Sequence, residues 1–190
     1  EDKTSSAVRE ARNTRLSCFL KEPGQKNWIY PTTEANQAIE TEPVPQFTGA
    51  TVTYCTGYST RKGNSLYQKQ AGQRSSTTGC IVMRGAEALL NYIEACYELN
   101  GSLNAKAESY WKALRRRAGV DEDFSKTVAA TDMSREAEND WGAYTAGQLV
   151  DAMRYNIRRE RRSEFMVEGM RWTDLLRWRA LDQMVTTHYN

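Results

Sequence analysis

Between Leu149 and Leu181 the chain reads LVDAMRYNIRRERRSEFMVEGMRWTDLLRWRAL, a stretch that holds eight arginines and five acids. Two chemistries are open to such a set: a positive surface for phosphate backbones, or a network of mutually neutralised charges. Arginines interleaved with acids make a poor uniform positive surface, which speaks against nucleic acid as a partner. At helical spacing Val150, Met153 and Ile157 fall on one meridian, and the same line continues to Arg161, Glu164 and Glu168. A carboxylate left alone in a packed interior costs several kcal/mol or neutralises itself, so acids at core positions must be paired with the arginines beside them. Past Gly169, Arg171, Asp174 and Arg177 recur at three-residue spacing, with Trp172, Leu175, Leu176 and Trp178 as expected apolar cover.

A second pair of carboxylates, Glu87 and Glu94, lies on the polar stripe of an upstream helical pattern together with Asn91. Two acids across a cleft are what a glycosidase needs, but neither has a catalytic context, and pairing with the later arginines is the preferred reading. The expected ion network is therefore Glu87, Glu94, Arg161, Glu164, Glu168, Arg171, Asp174 and Arg177, with no catalytic residue. Trp28, Tyr30, Trp141 and Tyr144 are the candidate ligand contacts, because aromatic faces flanked by polar groups can stack on sugar C–H faces. For each, anchoring a loop to the core is the simpler alternative. Metal and cofactor chemistry has little support: the single histidine is His188, and there is no CxxC or paired-histidine spacing.

The elements that must position these groups are mainly helical. Val82, Ala86, Leu89, Leu90, Ile93, Cys96 and Tyr97 form a wide apolar face, stopped by Asn100-Gly101. A second helix over about residues 104–118 turns Ala107, Tyr110, Trp111, Leu114 and Ala118 inward and ends at Gly119, so the two make a hairpin. Residues 120–144 are an acidic insertion with one short helix near 134–139, and 121–140 holds seven acids against Lys126 and Arg135. Thr145 and Gln148 have the spacing of a capping box for the arginine-rich helix. Residues 1–79 are irregular and loop-rich, with short strands expected at 15–19 and 51–58, and residues 80–190 form the helical region.

A net charge of +2 gives the whole molecule no strong preference for a polyanion. Cys18, Cys55, Cys80 and Cys96 show no close-spaced pair, and free, buried thiols are expected. No apolar run approaches the roughly 20 residues that cross a bilayer, and no charged-then-apolar signal opens the chain. The polar start is expected to be the middle of a longer protein.

The string Ile157-Arg158-Arg159-Glu160-Arg161-Arg162, with Glu164-Phe165, Glu168-Gly169, Arg171, Asp174-Leu175 and Arg177-Trp178, resembles the C-terminal signature of the SusD/RagB family of nutrient-binding outer-membrane lipoproteins. Arg84, Ala86-Glu87, Leu89-Leu90-Asn91-Tyr92 and Glu94-Ala95 resemble that family's helix, and Tyr58 to Gly63 does so more weakly. The resemblance covers roughly 58–181 and implies a tetratricopeptide-related helical fold. It further implies non-catalytic capture of a nutrient, a glycan or another cargo, at the outer-membrane surface, and delivery to a SusC-like TonB-dependent transporter. The family's lipid anchor is absent from this chain. Without the resemblance, the hairpin alone would also suit a helical-repeat interaction scaffold with no small-molecule ligand.

Overall fold

A computed structural model describes residues 14–22, 24–26, 58–71, 74–79 and 81–185. The chain divides into two compact units, Glu1–Val82 and Met83–Asn190. In the first, Thr14–Phe19 is a helix (α1) and not the expected strand. The hydroxyl of Ser17 donates to the Thr14 carbonyl at 2.7 Å, a local bond that favours the helical turn. Extended pairing starts one residue later, where Leu20 bridges Thr60, flanked by backbone bonds from Lys21 N to Ser59 O and from Arg61 N to Phe19 O. The expected strand at 51–58 lies outside the described residues up to its last position.

The second unit is mainly helical. Its first helix, α2 (Gly85–Asn100), buries Ala86, Leu90, Ile93 and Cys96, and stops where Gly101 takes φ 65°, a left-handed value that glycine adopts without a Cβ clash. Val82 is not on that face: it precedes the helix and is 86% exposed. Helix α3 (Ala105–Arg117) starts at Asn104, whose side chain accepts from Ala107 N at 2.8 Å. The expected acidic insertion is more ordered than the sequence suggested. It forms α4 (Phe124–Ala129) and α5 (Met133–Asn139), each capped by the aspartate before it. The Phe124 ring stacks on Trp111 at 4.2 Å between centroids.

Thr145 and Gln148 are strand partners and not a capping box. Strands β1 (Tyr144–Thr145) and β2 (Gln148–Leu149) pair with Tyr144 opposite Leu149 and Thr145 opposite Gln148. Ala146 and Gly147 both have positive φ, the geometry of a tight two-residue hairpin. Asp151 caps the arginine-rich helix instead, with Oδ1 accepting from Arg154 N at 2.9 Å, so α6 spans Ala152–Glu164. Val150 consequently lies before the helix and packs with Ala143 and Tyr155, whereas Met153 and Ile157 join the main core. That core gathers α2, α3, α4 and α6 around Leu90, Ile93, Trp111, Leu114, Phe124 and Ile157. Each large side chain so buried contributes on the order of 1.5–3 kcal/mol. A last helix, α7 (Met170–Arg177), begins at Gly169 and sets Leu175 and Trp178 against Ala180.

Candidate functional site

The charges of α6 and α7 are desolvated and joined to α2. Arg161 is 3% exposed and its Nε donates to both oxygens of Asp174, at 2.8 and 2.7 Å, while Nη1 donates to Asn91 Oδ1 at 2.6 Å. Asp174 also accepts from Arg177 Nε at 2.9 Å, and Arg177 reaches on to both oxygens of Glu94 at 2.5 and 2.7 Å. The indole of Trp178 donates to the same Glu94 at 2.6 Å, and its ring carries the guanidinium groups of Arg158, Arg177 and Arg171 at 4.7, 4.9 and 5.7 Å. Burial alone would raise the Glu94 carboxyl, but the Arg177 and Trp178 donors hold it below its ordinary 4.5.

Glu164, at the end of α6, gathers two further elements by accepting from Arg84, which precedes α2, at 2.6 Å and from Arg117 of α3. Arg84 also clamps Glu168 with two bonds of 2.7 Å. Glu160 is buried, and its Oε2 accepts from the Trp111 indole at 2.9 Å and from Arg115 at 3.1 Å. Arg158 meets backbone in place of a carboxylate. It donates to the carbonyls of Gly142 and Tyr144 and to the Thr145 hydroxyl, and burial pushes it down to about 10. Glu87 does not enter the network: among the described residues it makes no ion pair. It sits in the first turn of α2 on the rim of a cleft of about 420 Å³ with Glu94 and Asp174, where the helix N-terminus favours a carboxylate without a cation.

A second cavity, of about 490 Å³, opens beside Trp141 and is walled by Glu138, Asn139, Asp140, Arg162, Arg171 and Leu175. Asp140 is buried and accepts from Arg162 Nη1 at 2.5 Å, from Arg171, from Gly142 N at 2.9 Å and from the Tyr155 hydroxyl at 3.1 Å. With its lone pairs filled, Asp140 acts by aiming the two guanidinium groups, whose remaining N–H donors line the cavity. Burial lowers Arg171, and the Asp140 carboxylate offsets this only in part. Gly142 has no side chain because a Cβ there would lie 2.9 Å from Arg171 Nη2 and 3.1 Å from Asp140 Oδ1. An aromatic ring beside fixed planar donors can stack on one face of a ring-shaped polar ligand and bond to its edge.

The family model described as the SusD family matches residues 4–190. The chain belongs to the SusD family. No curated protein and no solved structure matches it. The match extends past both ends of the 58–181 stretch that carried the resemblance, and the mainly helical fold agrees with the SusD type. SusD family members are binding proteins associated with the outer membrane, which suggests nutrient or glycan binding for this chain. No helix among the described residues is long and apolar enough to cross a membrane.

Of the residues expected at a SusD ligand site, Trp28 and Tyr30 lie outside the described residues. Trp141 lines the second cavity while packing toward Leu175 and Trp178. Tyr144 does not line that cavity; it packs against Ala143, Val150 and Tyr155. Trp172 and Leu176 are not apolar cover, being 58% and 52% exposed, because α7 turns Leu175 inward on the opposite side. Asp140, Arg162 and Gly142 were missed, although Asp-x-Gly between two helical stretches is the pattern of an Asx turn. Cys18 is exposed and Cys96 buried, both as free thiols; Cys55 and Cys80 lie outside the described residues.

Proposed function

We propose that this SusD family protein captures a nutrient, with a glycan as the best-fitting cargo, at the Trp141 cavity. It releases the cargo unchanged to a SusC-like TonB-dependent transporter at the outer-membrane surface. The observation that carries the reading is the conjunction of the family match with a Trp141 face beside arginines held by Asp140. Binding uses preformed parts: the indole takes the C–H face of a sugar ring, and the Arg162 and Arg171 donors take its hydroxyl oxygens.

Hydrolysis is disfavoured by the chemistry of the other cleft. A glycosidase needs one carboxyl kept protonated near neutral pH, whereas Glu94 is held ionised by Arg177 and Trp178. A second reading, a protein-interaction scaffold, is favoured by one observation. Trp172 and Leu176, one turn apart on α7, leave an apolar stripe in solvent.

Calorimetry with neutral oligosaccharides and with peptides, alongside chromatography of the recovered ligand, separates these readings. Capture predicts an oligosaccharide that binds, returns intact, and loses at least about tenfold in affinity in Trp141→Ala, the scale of one lost stacking contact. Cleaved product would overturn the non-catalytic reading. A bound glycan indifferent to Trp141→Ala would remove the cavity from the argument.

A further inference from the structure

The first unit contains a cavity of about 380 Å³ whose charge is one-sided. Lys21, Lys26 and Arg61 line it together with neutral groups such as Gln25, Asn64 and Gln70, and no carboxylate belongs to the lining. Two of the cations stand on fixed backbone. Lys21 and Arg61 follow the bridged residues Leu20 and Thr60 directly, and their amides are bonded to Ser59 O and Phe19 O at 2.9 and 2.8 Å. The Arg61 guanidinium is oriented by a neutral acceptor, donating from Nη1 to Gln25 Oε1 at 2.9 Å. Gln25 in turn donates to Glu22 at 3.2 Å, so the one acid in this chain of bonds reaches Arg61 only through an amide. The arginine is therefore aimed without being neutralised in a direct pair.

The opposite wall is built from hydroxyls and amides. Gln70 Oε1 accepts from Ser65 Oγ and from Thr78 Oγ1, each at 3.0 Å, and Gln70 Nε2 donates to Thr77 Oγ1 at 2.8 Å. A hydroxyl that donates to Gln70 still has lone pairs, so Ser65 and Thr78 remain acceptors for a ligand hydroxyl. In the second unit's cavity the arginines are already matched by Asp140, whereas here the missing negative charge has to come with the ligand.

We propose that this cavity of the first unit is a binding site for an acidic saccharide, its carboxylate or sulfate held by Arg61, Lys21 and Lys26 and its hydroxyls by the Gln70 wall. The saccharide part rests on the nutrient-capture reading; the anion part does not.

The test is calorimetry of the full chain with trigalacturonate, with its methyl ester as a neutral counterpart, and with a sulfated chondroitin disaccharide. Trigalacturonate is expected to bind at least about tenfold more tightly than the ester, an advantage that shrinks as salt is raised. Arg61→Gln should abolish the advantage and Arg61→Lys should restore part of it, with melting curves confirming that each variant is folded. Should Arg61→Gln fail to fold, Lys26→Gln, altered at an exposed side chain, should reduce the advantage about threefold. Comparing the uronate with the sulfated disaccharide identifies which anion fits. Equal binding of acid and ester, or an advantage that survives both substitutions, overturns the proposal. Trp141→Ala separates the two sites. An acid advantage that persists when no neutral glycan binds at Trp141 leaves this site standing and the capture reading fallen, and the converse result removes only this site.

Discussion

Replacing Asp174 by alanine removes three charge-assisted hydrogen bonds in a place that water does not reach. Asp174 is 2% exposed, and it accepts twice from Arg161 Nε and once from Arg177 Nε. Arg177 keeps Glu94, but Arg161 is left with the Asn91 carbonyl and the Phe165 ring at 5.0 Å, and its charge stays buried. Removing one partner of a buried pair costs about 3–5 kcal/mol, because the remaining charge is desolvated without compensation. For a unit of this size that corresponds to a fall in Tm of roughly 12–20 °C. Urea titration followed by circular dichroism measures it, with the slope m checked for constancy. The companion variant, Arg161→Met with Asp174→Leu, should recover most of the loss, since apolar residues of similar volume replace a buried pair at little cost. A loss below about 1 kcal/mol in Asp174→Ala, at unchanged m, would refute the claim that the pair is desolvated.

Two other outcomes follow from the same frame. The folded Glu94 carboxyl lies below its ordinary 4.5, so its contribution to stability is fully present above that pH and is lost as pH falls through the folded value. Urea midpoints taken from pH 7 down to about 3 should therefore fall on the acid side, and Glu94→Gln should start lower at pH 7 and show a shallower acid limb. Gly142→Ala places a Cβ 2.9 Å from Arg171 Nη2 and should cost about 1–3 kcal/mol while displacing that guanidinium from Asp140. A melting curve superimposed on that of the wild type would show that the arginine moves aside freely.

Helical periodicity exposed α2 and α3 because one face of each is aliphatic or aromatic at every turn, with Gly101 and Asn104 marking the stop and the restart. The arginine-rich helix was legible through its anomaly, charged residues where a core stripe should continue, and Arg161 and Glu164 do lie buried there. What stayed hidden depends on partners distant in sequence or on short-range choices with two solutions. Thr145 and Gln148 fit a capping box and a hairpin equally well at the level of spacing, and the positive φ of Ala146 and Gly147 goes with the hairpin. Arg84 matched a motif without revealing that it clamps residues 80 and 84 positions away. The Trp141 cavity was half legible: the aromatic stood out, but the aspartate that aims its arginines is an ordinary acid in an acidic stretch.

The long reach of these clamps sets an order of assembly. The α2–α3 hairpin closes through neighbours in sequence, whereas the acceptor of the Trp111 indole lies 49 residues on and the arginine of Glu94 lies 83 residues on. Loop-closure entropy makes such distant pairings the later ones. Until α6 and α7 dock, the hairpin holds an indole N–H and a glutamate that only those helices satisfy, so it is soluble at that surface and unsealed. Docking replaces water at those groups with arginine and glutamate in one concerted step, which makes the second unit close as a whole.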